Sequence, residues 1–312
     1  MQQSPAGSGE PYRSVAGAAM VAAVLTGCAL GGSSGQPPTP SKMDIGDTQL
    51  AYVAQGQGVP IVFVHGAGGD WRSWEPLRPL IAAHHRFVSY SRRYHHPNDP
   101  AGAGAPYTVA AQADDLIAFV EALRAGPVHV VGGSYGARVV LEAAVKRPEL
   151  FRTVSASEAF ITPPREPAAG AAAKALADDL ARIGPALLSG GPRAATIQLV
   201  NAVTGDPQAW AGLAEPARQR FIDNEATWLP LAKAPPLPPT ACAALGTLPM
   251  PVMVMEGERT VAGFRVTNDR LMECLPRGST RAVVPGAPHM WYAVNPDAAA
   301  AQILAFVNRT AP

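Results

Sequence analysis

Apolar and polar positions follow two periods along this chain. Short runs at 50–54, 60–65, 86–91, 128–131, 152–157, 251–255 and 279–284 read as strands; the one at 60–65 is almost continuously apolar, and the one at 128–131 reads as buried. Between them, apolar residues return every three or four positions. That spacing predicts helices over 74–84, 264–275 and 295–307. It also predicts one capped by Thr108, with Val109, Ala113, Leu116, Val120 and Leu123 on its inner face. Another follows residue 136, with Val140, Leu141, Ala144 and Val145 on one side. Strands alternating with helices predict an α/β fold: a mainly parallel, doubly wound sheet flanked by helices. From about 159 to 239 the pattern changes. Ala-rich and Leu-bearing helical segments broken by Pro and Gly, without a clear strand, predict a helical insertion.

The chemistry concentrates where strands end. After the run at 128–131 the chain reads Gly132-Gly133-Ser134-Tyr135-Gly136, a G-x-S-x-G pattern between a strand and a helix. An abrupt strand-to-helix turn holds the Ser in a strained conformation with its hydroxyl exposed, and flanking glycines leave room for it. The new helix points its first N–H groups at whatever Ser134 attacks. The Gly-rich loop 66–69, Glu158 and His289 also follow strand ends, so a parallel sheet gathers them on one edge. Of the other histidines, His65 and His129 read as structural. His84 and His85 end a helix, and His95 and His96 lie in a His-, Pro- and Gly-rich loop expected to be flexible. An adjacent His pair without further ligands makes a weak metal site.

Composition adds bounds. The 312 residues are 47% hydrophobic and 16% charged with a net charge of +1, enough for one large core and nothing that points to nucleic acid. The amino terminus differs. Arg13 precedes a short apolar run at 15–25, too short for a mature spanning helix and shaped like an export signal. It ends in Leu25-Thr26-Gly27-Cys28, which resembles the lipobox of bacterial lipoproteins. That resemblance implies a signal peptide over 1–27, acyl chains on Cys28, a flexible tether over 28–42, and a cell-envelope location with the membrane as a partner. Cys242 and Cys274 carry no motif spacing, and whether they pair is open.

Residues 43–312 resemble an α/β-hydrolase with a helical cap at about 159–239. The resemblance is carried by His65-Gly66-Ala67-Gly68-Gly69, by Gly132-Gly133-Ser134-Tyr135-Gly136 and by Pro285-Gly286-Ala287-Pro288-His289, in that order. It implies Ser134 as nucleophile, His289 as base, and an oxyanion hole from the N–H groups of Ala67 and Tyr135. At one place the chain departs from the family. Relatives usually carry an Asp where Thr260 stands, in Glu256-Gly257-Glu258-Arg259-Thr260, and Thr supplies no charge. Some relatives, a group of haloalkane dehalogenases among them, place the acid one strand earlier, where this chain has Glu158. Glu258 and the absence of an essential acid are the alternatives.

The implied activity is that of a serine hydrolase, most simply a carboxylesterase, acting on a small-molecule acyl substrate without metal or organic cofactor. A Ser nucleophile argues against dehalogenase and epoxide hydrolase chemistry, in which relatives attack with Asp. Lactone, thioester and carbon–carbon hydrolysis would use the same triad. A non-catalytic ligand-binding lipoprotein is the rival, motivated by Thr260. Trp210, Phe221 and Trp228 are candidates for an apolar pocket, with helix core the alternative for each. Substrate identity and oligomeric state are not readable from the residues.

Overall fold

A computed structural model describes residues 38–99, 104–159, 167–238 and 241–309. The segment expected to hold the signal and the lipidated Cys28 lies outside the described residues. Eight strands form one sheet: β1 (Ser41–Asp44), β2 (Gln49–Gln55), β3 (Pro60–Val64), β4 (Arg86–Tyr90), β5 (Val128–Gly133), β6 (Phe151–Ser157), β7 (Val252–Gly257) and β8 (Thr280–Val284). Their order is β1-β2-β4-β3-β5-β6-β7-β8. β1 and β2 pair antiparallel, as do β2 and β4, and every pair beyond β4 is parallel. The predicted parallel sheet is thus present, and Val, Ile and Phe fill its central strands because both faces are covered.

The register positions the chemistry. Val64 pairs with Gly132, Gly133 with Ser157, Ser157 with Met255, and Gly257 with Val284. The strands therefore end in line. His65, Ser134, Glu158 and Glu258 each come one residue past a carboxyl end, and the chain from β8 leads to His289.

On one face pack α2 (Val109–Ala122) and α3 (Tyr135–Lys146), on the other the short α1 (Arg78–Ala82) and the carboxyl-terminal helix (Pro296–Asn308). Thr108 caps α2 as its sequence suggests, its Oγ1 accepting from the Ala111 N–H at 3.1 Å. The helix predicted over 74–84 begins instead as a 3-10 turn, Trp71–Leu77, and is α-helical only over α1. Pro76 and Pro79 lack the N–H groups a continuous helix needs there.

Between β6 and β7 the described chain is helical, with α4 (Pro167–Ala181), α5 (Ile183–Thr204), α6 (Ala209–Gly212), α7 (Glu215–Asp223), α8 (Trp228–Ala232) and α9 (Cys242–Leu245). α5 breaks at Gly191 (φ 73°), before Pro192. Leu176, Leu199, Val203, Phe221 and Trp228 form a third apolar cluster, which includes Phe264 from α10 (Ala262–Cys274). The remaining helices are α11 (Trp291–Val294) and α12 (Pro296–Asn308). Among the described residues no helix is long and apolar enough to cross a membrane.

Two local expectations are corrected. Ser41 and Lys42, read as the end of a tether, are paired in β1, an exposed edge strand without the apolar alternation that would announce it. The loop after β4, expected to be flexible, is buried from Ser91 to Arg93 and at His95. Arg93 forms ion pairs with Asp115 at 2.6 Å and Asp47 at 2.8 Å that hold it down.

Cys242 and Cys274 are joined in a disulfide, with Cα atoms 4.7 Å apart, which ties α9 to the end of α10. Closing a loop with a sequence separation of 32 is worth about 3–4 kcal/mol by loop entropy. Paired Cys242→Ser and Cys274→Ser substitutions should lower the free energy of unfolding by about that amount. Chemical denaturation with and without reductant checks it.

Candidate active site

β5 enters α3 through Ser134, whose backbone sits at φ 54°, ψ −119°, a strained region for any residue with a side chain. The surroundings enforce it. The Ser134 N–H donates to the Ser157 carbonyl at 2.8 Å. A Cβ at Gly136 would overlap the carbonyl oxygens of Val64 and His65, and one at Gly132 would strike Gly136 and Val140. Both glycines are needed because the backbones of β3, β5 and α3 approach without space between them. Ser134 and His289 line one cavity.

His289 is nearly buried and is held on two sides. Its Nδ1 contacts Glu158 Oε2 in a short hydrogen bond. Its ring lies flat on Phe264, with centroids 4.3 Å apart and an interplanar angle of 13°. Glu158 is fully buried at φ 49°. Its carboxylate takes two further donors: the Gly257 N–H to Oε1 and the Thr260 hydroxyl to Oε2, each at 2.8 Å. The structure thus brings Glu158, not Glu258, to the imidazole. Glu258 is exposed and accepts the Gly286 N–H at 2.6 Å. Thr260, at the position where an Asp was expected, serves the carboxylate that has taken over.

The loop 66–69 is shaped by buried polar groups. The Gly66 carbonyl accepts from His65 Nδ1 and from Arg92 Nη2, both at 2.9 Å, while Arg92 Nε donates to the His65 carbonyl. A trans peptide sets C=O and N–H on opposite sides, so the Ala67 N–H points away from these donors. Ala67 lines the cavity with Ser134. The second N–H is that of Tyr135, first residue of α3, which has no intrahelical partner. The Tyr135 ring lies under the Arg92 guanidinium, 4.8 Å from its centroid. His95, placed by its sequence in a loop expected to be flexible, is buried and braces the Gly69 carbonyl at 2.6 Å.

His65 and His95 each donate from Nδ1 and accept at Nε2, from the Arg92 N–H and the Tyr107 hydroxyl. Only a neutral imidazole does both. Burial, reinforced by the Arg92 charge, holds both well below the ordinary histidine range. Among the described residues no cluster of His, Cys, Asp and Glu could hold a metal ion. A second cavity of about 190 Å³ meets the first at Ala67 and Ser134; its walls are mostly apolar, with Leu180, Ile183, Leu199, Val203, Trp228 and Phe264, and include Arg138, whose Nη2 donates to the Pro238 carbonyl at 2.8 Å. Phe221 lines the first cavity and Trp228 the second, while Trp210 packs on Phe221.

A profile of the alpha/beta hydrolase family matches residues 61–302. The chain belongs to the alpha/beta hydrolase family. Among curated members it is similar to the pyrrolizixenacetamide deacetylase of Xenorhabdus hominickii, 32% identical over 123 residues, which are 39% of this chain and 46% of that one. It is also similar to the 2-(acetamidomethylene)succinate hydrolase of Mesorhizobium japonicum, 31% identical over 115 residues, 37% of this chain and 41% of that one. The chain spans less than half the length of the curated relatives it matches. Among solved structures, a thermophilic esterase from Thermogutta terrifontis superposes with a TM-score of 0.68 at 19% identity, covering 88% of this chain and 99% of that one. That likeness is one of fold.

Three contributors of this hydrolase site escape sequence reading. Arg92 and Arg220 carry the charges of ordinary surface residues, and only tertiary structure shows them buried, Arg220 at the cavity and Arg92 against the Tyr135 ring. Phe264 is one apolar helix position among several. For Thr260 a signal existed: an absent Asp together with a Glu one strand earlier.

The buried histidines make stability depend on pH. His129, inside β5 with its Nδ1 on Thr153 Oγ1, is pushed down to about 4, first by burial and then by His85 and Arg152. His65 and His95 shift the same way. Between the unfolded value and the folded one, the unfolded chain binds protons that the folded chain does not. Stability therefore falls as pH drops from about 6.5 towards 4, by about 1.4 kcal/mol per pH unit for His129 alone. Denaturation curves across this range should show the decline, and His129→Gln should flatten it.

Proposed function

We propose that this hydrolase cleaves an ester or related acyl bond through an acyl-enzyme formed on Ser134, carboxylesterase chemistry being its simplest form. The reading is carried by the contact between His289 Nδ1 and the buried Glu158 carboxylate, beside a cavity that His289 shares with a strained Ser134. With Nδ1 bonded to Glu158, the proton-accepting atom is Nε2. It takes the hydroxyl proton as Ser134 Oγ attacks the carbonyl carbon. Glu158 stabilises the imidazolium, and the Ala67 and Tyr135 N–H groups receive the oxyanion. His289 then gives the proton to the departing alcohol or amine. The same His activates the water that releases the acid. Gly257 and Thr260 fix the carboxylate, and Phe264 fixes the plane of the ring.

The helical segment between β6 and β7 acts in this reading as a cap whose apolar side chains line the substrate space. The names of the curated relatives, a deacetylase and a 2-(acetamidomethylene)succinate hydrolase, support acyl cleavage. A non-catalytic binding role is not favoured, because the Thr260 that motivated it is bonded to the acid.

The protein should hydrolyse a short-chain chromogenic ester and be labelled at Ser134 by a fluorophosphonate. Ser134→Ala should abolish both. Glu158→Gln should lower kcat on the order of 1,000- to 10,000-fold, whereas Glu258→Gln should stay near the parent. A silent parent protein that takes up no label would overturn the proposal.

We further propose that the protein is exported and anchored through Cys28. The Leu25-Thr26-Gly27-Cys28 sequence motivates this, and the Cys242–Cys274 disulfide supports it, since such bonds persist in oxidising compartments. Radiolabelled palmitate should enter the parent and not Cys28→Ser, and the variant should leave the membrane fraction. Equal labelling of both would remove the anchor.

A further inference from the structure

Arg220 of α7 is only 7% exposed and lines the cavity that holds Ser134 and His289. Among the described residues its guanidinium has no ion pair and no hydrogen bond, and its Nε is buried without a partner. The Phe221 ring lies 5.2 Å from the guanidinium carbon, and the charge also acts on His65 and Tyr292, neither of which is an acid that could pair with it. A ring face attracts a cation weakly and does not replace a carboxylate for a charge taken out of water.

The acids nearby are already engaged. Asp70 and Asp223 both bind Arg72, at 2.6 and 2.8 Å, and Asp70 also takes Asn224. Glu158 is committed to His289, Gly257 and Thr260. The two buried histidines next to the loop are held neutral, and Arg92 satisfies itself on carbonyls and Gln112 rather than on an acid. This side of the cavity thus carries uncompensated positive charge. It also presents the Ser73 and Tyr292 hydroxyls, neither of which is bonded to a described residue. These are donors waiting for an acceptor.

We propose that Arg220 is a substrate-binding residue that receives a carboxylate on one arm of the substrate, while the other arm lies in the apolar chamber beyond Ser134. The inference rests on the serine hydrolase reading and narrows its substrate class to acyl compounds bearing an acid group. Size is compatible. The cavity that Arg220 shares with Ser134 and His289 holds about 40 Å³, room for about two or three waters and so for a small polar group such as a carboxylate. The apolar chamber offers about 190 Å³ for a hydrocarbon or aromatic arm. A planar guanidinium suits a carboxylate because two parallel N–H groups can meet both oxygens.

Two substrate pairs test this on the full-length protein, each pair differing only in whether the acid is capped. One is 4-nitrophenyl hydrogen glutarate against its methyl ester, with the acid on the acyl arm. The other is 4-acetoxybenzoate against its methyl ester, with the acid on the leaving arm. In at least one pair kcat/KM should favour the free acid on the order of 10- to 100-fold. Arg220→Gln should bring that ratio close to one, and Arg220→Lys should keep part of it. Ratios of one or below in both pairs, or a preference that survives Arg220→Gln, overturn the assignment; in the latter case the anion belongs to the Ala67 and Tyr135 N–H groups. Thermal shift with glutarate separates this inference from the hydrolase reading, because it needs no turnover. Glutarate should raise the Tm of the parent and of Arg220→Lys but not of Arg220→Gln, and no shift in the parent counts against the subsite.

Discussion

A carboxylate removed from water must have its oxygens filled, and the site follows from how Glu158 meets that demand. Its three donors come from three separate stretches: the Gly257 N–H at the end of β7, the Thr260 hydroxyl in the turn beyond it, and His289 in the loop after β8. Satisfying one buried side chain therefore fixes the relative placement of three loops on the sheet edge. The imidazole is oriented as a by-product of that packing. Phe264 then removes the remaining freedom of the ring, and the same Phe belongs to the apolar cluster of the overlying helices.

Much of this was legible because the governing patterns are local. Continuous apolar runs mark strands covered on both faces, and the glycines around Ser134 mark a turn that admits nothing larger. The common register of β3, β5, β6, β7 and β8 places the residues that follow them side by side, which is why a motif for Ser134, chain order for His289 and the family resemblance for Glu158 point to one sheet edge. The unreadable parts depend on partners distant in sequence. β1 is a strand because β2 accepts it, not because Ser41–Asp44 has a strand pattern. The first residues after β4 are held down because Arg93 meets Asp47 and Asp115. Cys242 and Cys274 pair because α9 and α10 bring their Cα atoms to 4.7 Å.

The distribution of charge separates scaffold from site. Arg93 and Arg281 meet carboxylates and serve as struts between elements. Arg92 and Arg220, both buried, do not. Arg92 spends its donors on backbone carbonyls and Gln112 and so turns peptide dipoles, whereas Arg220 lines the cavity with a buried Nε that has no partner among the described residues. Arg220 and the amino terminus of α3 place positive charge on the side of the cavity away from the buried Glu158 carboxylate, and the lowered His65 and His95 add none.

Placing the acid at the end of β6 has a mechanical side. Glu158 is the last residue the sheet holds before the chain departs, through 159–166, for the helices that overlie Ser134. The roof of the cavity therefore has two covalent roots, and one of them is the residue that aims the base.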